Sequence, residues 1–271
     1  MTYGKRGIFV RIAYLVVAML FFAASKMKGN TNRGKIVLCY HGVKNSQKFK
    51  FAKQLNLIKN RAVASKNLAS VGELDTETSH VCLTFDDAFA NLLPNVIPVI
   101  TELQIPIAIF IPTGSLGTFP PWLQGLEHSD STEMILSVVQ ISALLGNPLV
   151  SFGSHTVDHP RLSLLQEEEI HAQLRTSRDI ISGIVGEKIT ELALPYGDYN
   201  EVVIQIALEE GYQKIYTLEP EAYVVESRSG TPLLGRFSVS PDDWPVEFFL
   251  TINGAYAWLA PWRAFLRTLR S

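Results

Sequence analysis

Short apolar runs alternate with helical patterns along most of this chain, and that alternation is the tightest limit on what it can fold into. Lys35 to Tyr40, Val81 to Phe85, Ile107 to Ile111, Leu149 to Phe152, Leu192 to Leu194, Lys214 to Leu218 and Leu233 to Val239 read as strands. Between them, helical spacing predicts helices at Phe51 to Arg61, Asn91 to Leu103, Glu167 to Val185, Val202 to Glu210 and Val246 to Tyr256. Pro94 and Pro98 complicate the second of these. Strand and helix in alternation predict an α/β fold with a parallel sheet, open or closed into a barrel. At 271 residues, with 47% hydrophobic and 18% charged, the chain has enough apolar material for one large domain and no sign of extended disorder. A net charge of -2 argues against nucleic acid as a partner, since such binding draws on clustered positive charge.

The first 25 residues stand apart. Lys5, Arg6 and Arg11 precede an apolar stretch from Ile12 to Ala24, the length of a signal-peptide core and short for a bilayer span. This predicts export, with the protein periplasmic, secreted or membrane-anchored facing outward. Ala23-Ala24-Ser25 offers small residues for cleavage, whereas Lys26 and Lys28 suit an uncleaved anchor. A helix packed into the fold is the third reading. Residues 26–34 read as a linker, 35–256 as the domain, and 257–271 as a tail, in which Trp258 to Leu266 could form an interfacial or a packed helix. Cys39 and Cys82 each fall inside a predicted strand and read as small buried hydrophobes, although exported neighbours could form a disulfide.

The chemistry concentrates at strand ends. Val81 to Phe85 stops abruptly at Asp86-Asp87, two adjacent carboxylates at the end of a strand where parallel α/β folds bind ligands. Leu149 to Phe152 leads into His155 and His159, which meet on one face if the backbone makes a helical turn that finishes before Pro160. Two imidazoles with Asp87 would make a three-ligand site with an open position for water, suited to zinc-assisted hydrolysis. Asp86 would then be free to accept a proton from that water.

Thr84-Phe85-Asp86-Asp87, then Ser154-His155-Thr156-x-x-His159, then Leu194-Pro195-Tyr196-Gly197 resemble the motifs of the polysaccharide deacetylases, the NodB-homology group or carbohydrate esterase family four. The resemblance implies a distorted (β/α) barrel that holds one divalent metal, zinc or else cobalt or nickel, and removes acetyl from an N-acetylated polysaccharide. Carried across, Asp86 is the general base, Asp87, His155 and His159 are the metal ligands, and Pro195 and Tyr196 line the groove, the tyrosine N–H helping to hold the oxyanion.

Three departures stand out. Many members use a histidine near the C-terminus as general acid, but the last histidine here is His171. His41, closing Val37-Leu38-Cys39-Tyr40-His41-Gly42, is the candidate replacement, and this ending resembles the permuted branch acting on poly-N-acetylglucosamine and other exopolysaccharides. Ala193 occupies the position of the family's motif arginine, and Arg236 is the suggested substitute. Ala88 stands where glycine commonly follows the aspartates and reads as neutral for chemistry. Trp244, in Asp242-Asp243-Trp244, is a candidate sugar-binding aromatic. His80, His128 and His171 read as surface or structural. Two other readings remain open: a catalytically silent glycan-binding barrel, and an esterase acting on O-acetyl groups.

Overall fold

A computed structural model describes residues 7–27, 35–60, 64–65, 80–220, 224–226 and 232–260. Its centre is a curled sheet, and the alternation of side chains along each strand shows why it curls. Strands β1 (Lys35–Tyr40), β3 (His80–Phe85) and β4 (Ile107–Ile111) are apolar on both faces. One parity, with Leu38, Leu83, Ile109, Leu192 and Ile215, packs outward on the helices. The other, with Val37, Cys82, Ala108, Phe110, Ala193, Tyr216 and Leu234, meets in a small inner cluster. A sheet whose second face buries itself against itself must close on its own axis.

The remaining strands are β2 (Ala64–Ser65), β5 (Val150–Ser154), β6 (Glu191–Ala193), β7 (Lys214–Tyr216), β8 (Val224–Glu226), β9 (Pro232–Leu234) and β10 (Phe237–Ser238). The spatial order is β10-β1-β3-β4-β5-β6-β7-β9-β8, with β2 pairing β3. Every ladder is parallel except β8 on β9. The architecture is the distorted (β/α) barrel expected from the sequence. The stretch Leu233 to Val239 is not one strand: Gly235 and Arg236 divide it, so that β10 ends the sheet beside β1 while β9 lies between β7 and β8 at the other side. Two residues therefore span the seam of the barrel, which no ladder closes among the described residues.

Helices α2 (Lys48–Asn60), α3 (Leu92–Asn95), α4 (Ile97–Leu103), α5 (Val138–Leu144), α6 (Glu167–Val185), α7 (Glu201–Glu209) and α8 (Pro245–Ile252) accompany the strands. The helix expected from Asn91 to Leu103 breaks at Val96, just after a four-residue turn from Leu92 to Asn95 that contains Pro94, and resumes with Pro98 in its first turn. Preceding them all, α1 (Ile8–Met27) is a 20-residue helix long and apolar enough to cross a membrane. It packs along α8, with Phe22 edge-on to Phe249 and Tyr14 against Trp258. Cys39 and Cys82 are buried thiols that form no disulfide. Of the proposed linker, residues 28–34 lie outside the described residues, as does the tail from 261 on.

Candidate active site

The candidate residues gather at the C-terminal rim of the sheet. His41 follows β1, Asp86 and Asp87 follow β3, His155 follows β5, Pro195 and Tyr196 come shortly after β6, and Arg236 sits in the seam. The rim is built with unusual backbone. Six described non-glycine residues have positive φ, and five are here: Asp87 (66°), Ala88 (50°), Thr156 (69°), His159 (57°) and Tyr196 (59°). Such conformations cost energy and persist where surrounding contacts enforce them. At Ala88 they explain why glycine suits that position, so the alanine is a source of strain.

The histidine pair departs from expectation in the same way. No helical turn joins His155 to His159; instead left-handed residues at 156 and 159 fold the segment back, and Pro160 accounts for it by disfavouring helical backbone at His159. Hydrogen bonds fix the loop: the Thr156 amide donates to Ser154 Oγ at 3.2 Å and the His159 amide to Thr156 Oγ1 at 3.1 Å. The two rings end 4.8 Å apart.

Asp87, His155 and His159 each offer a ligand atom within 4.8 Å of the others, and all three are buried. His155 Nδ1 lies 2.7 Å from the Ala193 carbonyl oxygen; with the proton on Nδ1 it donates there and leaves Nε2 as an electron-pair donor, 3.7 Å from Asp87 Oδ1. His159 Nε2 lies 3.5 Å from the same oxygen. Asp87 Oδ1 has no hydrogen-bond partner although it is buried. A buried oxygen left bare costs too much to be accidental, and a carboxylate with two imidazoles is a donor set suited to zinc. Burial, and after it the neighbouring Asp86, push the Asp87 carboxyl well up, while burial pulls His155 down to about 4. A buried cluster of this kind lacks the one positive charge that would keep the carboxylate ionised; the residues fit a divalent cation.

Asp86 is treated differently. Burial alone would raise its carboxyl, but Arg236 overrides this and holds it well below the usual range. Arg236 Nη1 donates to Oδ1 at 2.6 Å and Nη2 to Oδ2 at 2.8 Å, the two-pronged geometry in which arginine holds carboxylates best. The guanidinium is fully buried and also donates to Thr84 Oγ1 at 3.1 Å and the Thr217 carbonyl at 3.1 Å. It fills the seam. His41, half-buried, joins Cys39 and Asp86 in a second group whose polar atoms lie within 4.8 Å of one another. Burial lowers the His41 imidazole, with Asp86 working against it.

Two contributors were not legible as site residues. Trp122, in the loop after β4, stacks on His159 with centroids 4.3 Å apart, and the Cys39 thiol donates to Asp86 Oδ2 at 3.3 Å. Only the Pro-Gly-rich character of the first loop and the strand parity of the second were signals. Pro195 is buried in a tight turn that presents Tyr196, 43% exposed, edge-on to His159 and beneath Arg161. Trp244 is placed elsewhere: its amide donates to Glu247 at the start of α8 and its ring lies 4.2 Å below the Arg11 guanidinium, serving the α1 contact. His171 is structural, its Nδ1 2.6 Å from Glu210.

The polysaccharide deacetylase family model matches residues 73–215. A relative from Bacillus subtilis (strain 168), YxkH, carries a polysaccharide deacetylase name and is 27% identical over 169 residues, covering 62% of this chain and 54% of its own. The chain thus spans about half the length of that curated relative. Among solved structures, IcaB from Ammonifex degensii aligns over 81% of this chain and 97% of its own with a TM-score of 0.66 and 24% identity. The Streptococcus pyogenes deacetylase PplD, solved with acetate, aligns over 81% and 98% with a TM-score of 0.64 and 20% identity. With the three motifs converging on one rim and the family model covering more than half of the sequence, the chain belongs to the polysaccharide deacetylase family, carbohydrate esterase family four.

Proposed function

We propose that this protein is a metal-dependent hydrolase that removes N-acetyl groups from an N-acetylated polysaccharide outside the cytoplasm. The observation that carries the reading is the convergence of Asp87, His155 and His159 beside an Asp86 that Arg236 keeps ionised. Asp87 Oδ1 and the Nε2 atoms of both histidines would hold one divalent ion, which when bound polarises the acetyl carbonyl and brings a water within reach of deprotonation near neutral pH.

The chain's own groups supply the proton path. Asp86 accepts the proton of the attacking water, and because Arg236 favours its charged form it is a poor resting place for that proton. His41, in the same cluster, receives it and passes it to the departing nitrogen, a role worth about 10²- to 10⁴-fold. Tyr196 presents a ring, 43% exposed, to the sugar, and its backbone N–H would serve as the donor to the developing oxyanion.

The test pairs metal content with acetate release from a panel of N- and O-acetylated glycans. Asp87→Asn and His155→Ala lose bound zinc and acetate release together. His41→Ala keeps the metal and loses about 10²-fold or more in kcat. Undiminished turnover in His41→Ala removes it from the proton path, and turnover from metal-free protein sinks the whole reading. Release confined to O-acetyl substrates would make it an esterase.

A further inference from the structure

Charge and apolar surface are sorted in this molecule in a way the chemistry of the rim does not use. Fourteen of the 24 Lys and Arg residues fall in the first 72 positions, and none of the 26 Asp and Glu residues do. That segment contains α1 and α2, and both pack against α8, so the two form one side of the barrel. Two acidic residues around the start of α8 meet this side and are paired there, Glu247 with Arg11 and Asp242 with Lys50, while other acidic groups lie elsewhere, with Glu167, Glu168 and Glu169 opening α6 and Glu201 opening α7.

Helix α1 has two faces. Its inner face is fastened: Arg11 Nε donates to Glu247 Oε1 at 2.7 Å, with 13% and 7% of the two side chains exposed. Tyr14 meets Trp258, Ala18 is fully buried, and Phe22 meets Phe249. The contacts run from residue 11 to residue 22, about 16 Å of helix. Its outer face is bare hydrocarbon: Phe9 is 84% exposed, Leu20 66%, Ile8 51%, Met19 50% and Val16 49%. An unbroken apolar stripe of this length in water marks a surface that is covered by something. A helix crossing a bilayer would have to give up every inner contact, and the ion pair with them.

We propose that the outer face of α1 lies in the surface of an anionic lipid bilayer, parallel to it, while the inner face stays latched to the barrel through Arg11 and Glu247. Lys5 and Arg6 before the helix, Lys26 and Lys28 around its end, and Lys48, Lys53 and Lys59 along α2 supply the positive charge that such headgroups attract, whereas Lys50 is taken up by Asp242 at 2.6 Å. The arrangement holds the protein on the membrane without a spanning segment and keeps the mouth of the barrel fixed relative to it.

The experiment floats the purified full chain with sealed vesicles of phosphatidylcholine, with or without phosphatidylglycerol. The chain floats with the anionic vesicles, less with the neutral ones, and added salt weakens it. Phe9→Glu and Leu20→Glu each lower binding by about tenfold, with circular dichroism and melting unchanged. Because Cys39 and Cys82 are buried, Gly7→Cys adds one accessible thiol. A membrane-impermeant maleimide outside the vesicles labels it at once. Three results overturn the proposal: failure to float, with or without self-association of the chain; flotation indifferent to both variants; or labelling only after the vesicles are opened, which means a spanning helix. None of these readouts involves acetate release, so they are independent of the proposed activity.

Discussion

Arg236 shows how one side chain can govern a neighbour's chemistry. Asp86 is pushed up by burial and pulled down further by the guanidinium, and it stays a carboxylate only because the second effect wins. Arg236→Ala leaves a buried charge uncompensated and should cost about 3–5 kcal/mol, read as a large drop in melting temperature. Arg236→Lys keeps the charge but loses the fork; kcat should fall while bound zinc stays constant. Asp86, Asp87, His155 and His159 were legible in sequence because residue type and local spacing carry their chemistry. The arginine's placement was legible only as a suggestion, since its contact with Asp86 spans 150 residues and depends on how the barrel closes. Trp122 and the Cys39 thiol were invisible as site residues for the same reason: nothing local in sequence says which loop arches over His159 or which strand stands beside β3.

At the scale of elements, sequence pattern located strands and helices well and misread their joints. Ile107–Ile111 and Glu167–Val185 match the expected bounds because apolar period and end signals agree there. The stretch from 233 to 239 looked continuous because Gly235 and Arg236 leave no gap in its strand-like character, and only the topology reveals two strands. Joints also set the sharpest steric limits. Gly153 in β5 faces Phe110, and a Cβ there would lie 2.4 Å from the ring. Gly153→Ala should therefore cost about 1–3 kcal/mol in thermal or denaturant unfolding. Gln104 ends α4 at φ 58°, where glycine is favoured, and it is exposed. Gln104→Gly should be neutral to stabilising by up to about 1 kcal/mol in the same measurement.

For the whole molecule, stability should carry a signature of the α1 and α8 region. Burial raises the half-buried Asp243 carboxyl to about 7, with Glu247 adding to it, against an ordinary value of about 3.9 in the unfolded chain. Between these values the folded state holds a proton that the unfolded state has released, so stability falls as pH rises from about 4 to about 7. Asp243→Asn should flatten the melting temperature across that window. Class and architecture were legible in the alternation of elements, whereas the docking of α1 was not, because an apolar segment behind basic residues has the same composition whether it is removed, spans or packs.

The seam between β9 and β10 has a temporal consequence. The chain is made from its N-terminus, so the aspartates, both site histidines and Tyr196 leave the ribosome well before residue 236. Until the last strand crosses to β1, the carboxylate at 86 has no guanidinium to meet it. Competence for hydrolysis would thus be withheld from the growing chain and conferred by the same stroke that completes its fold.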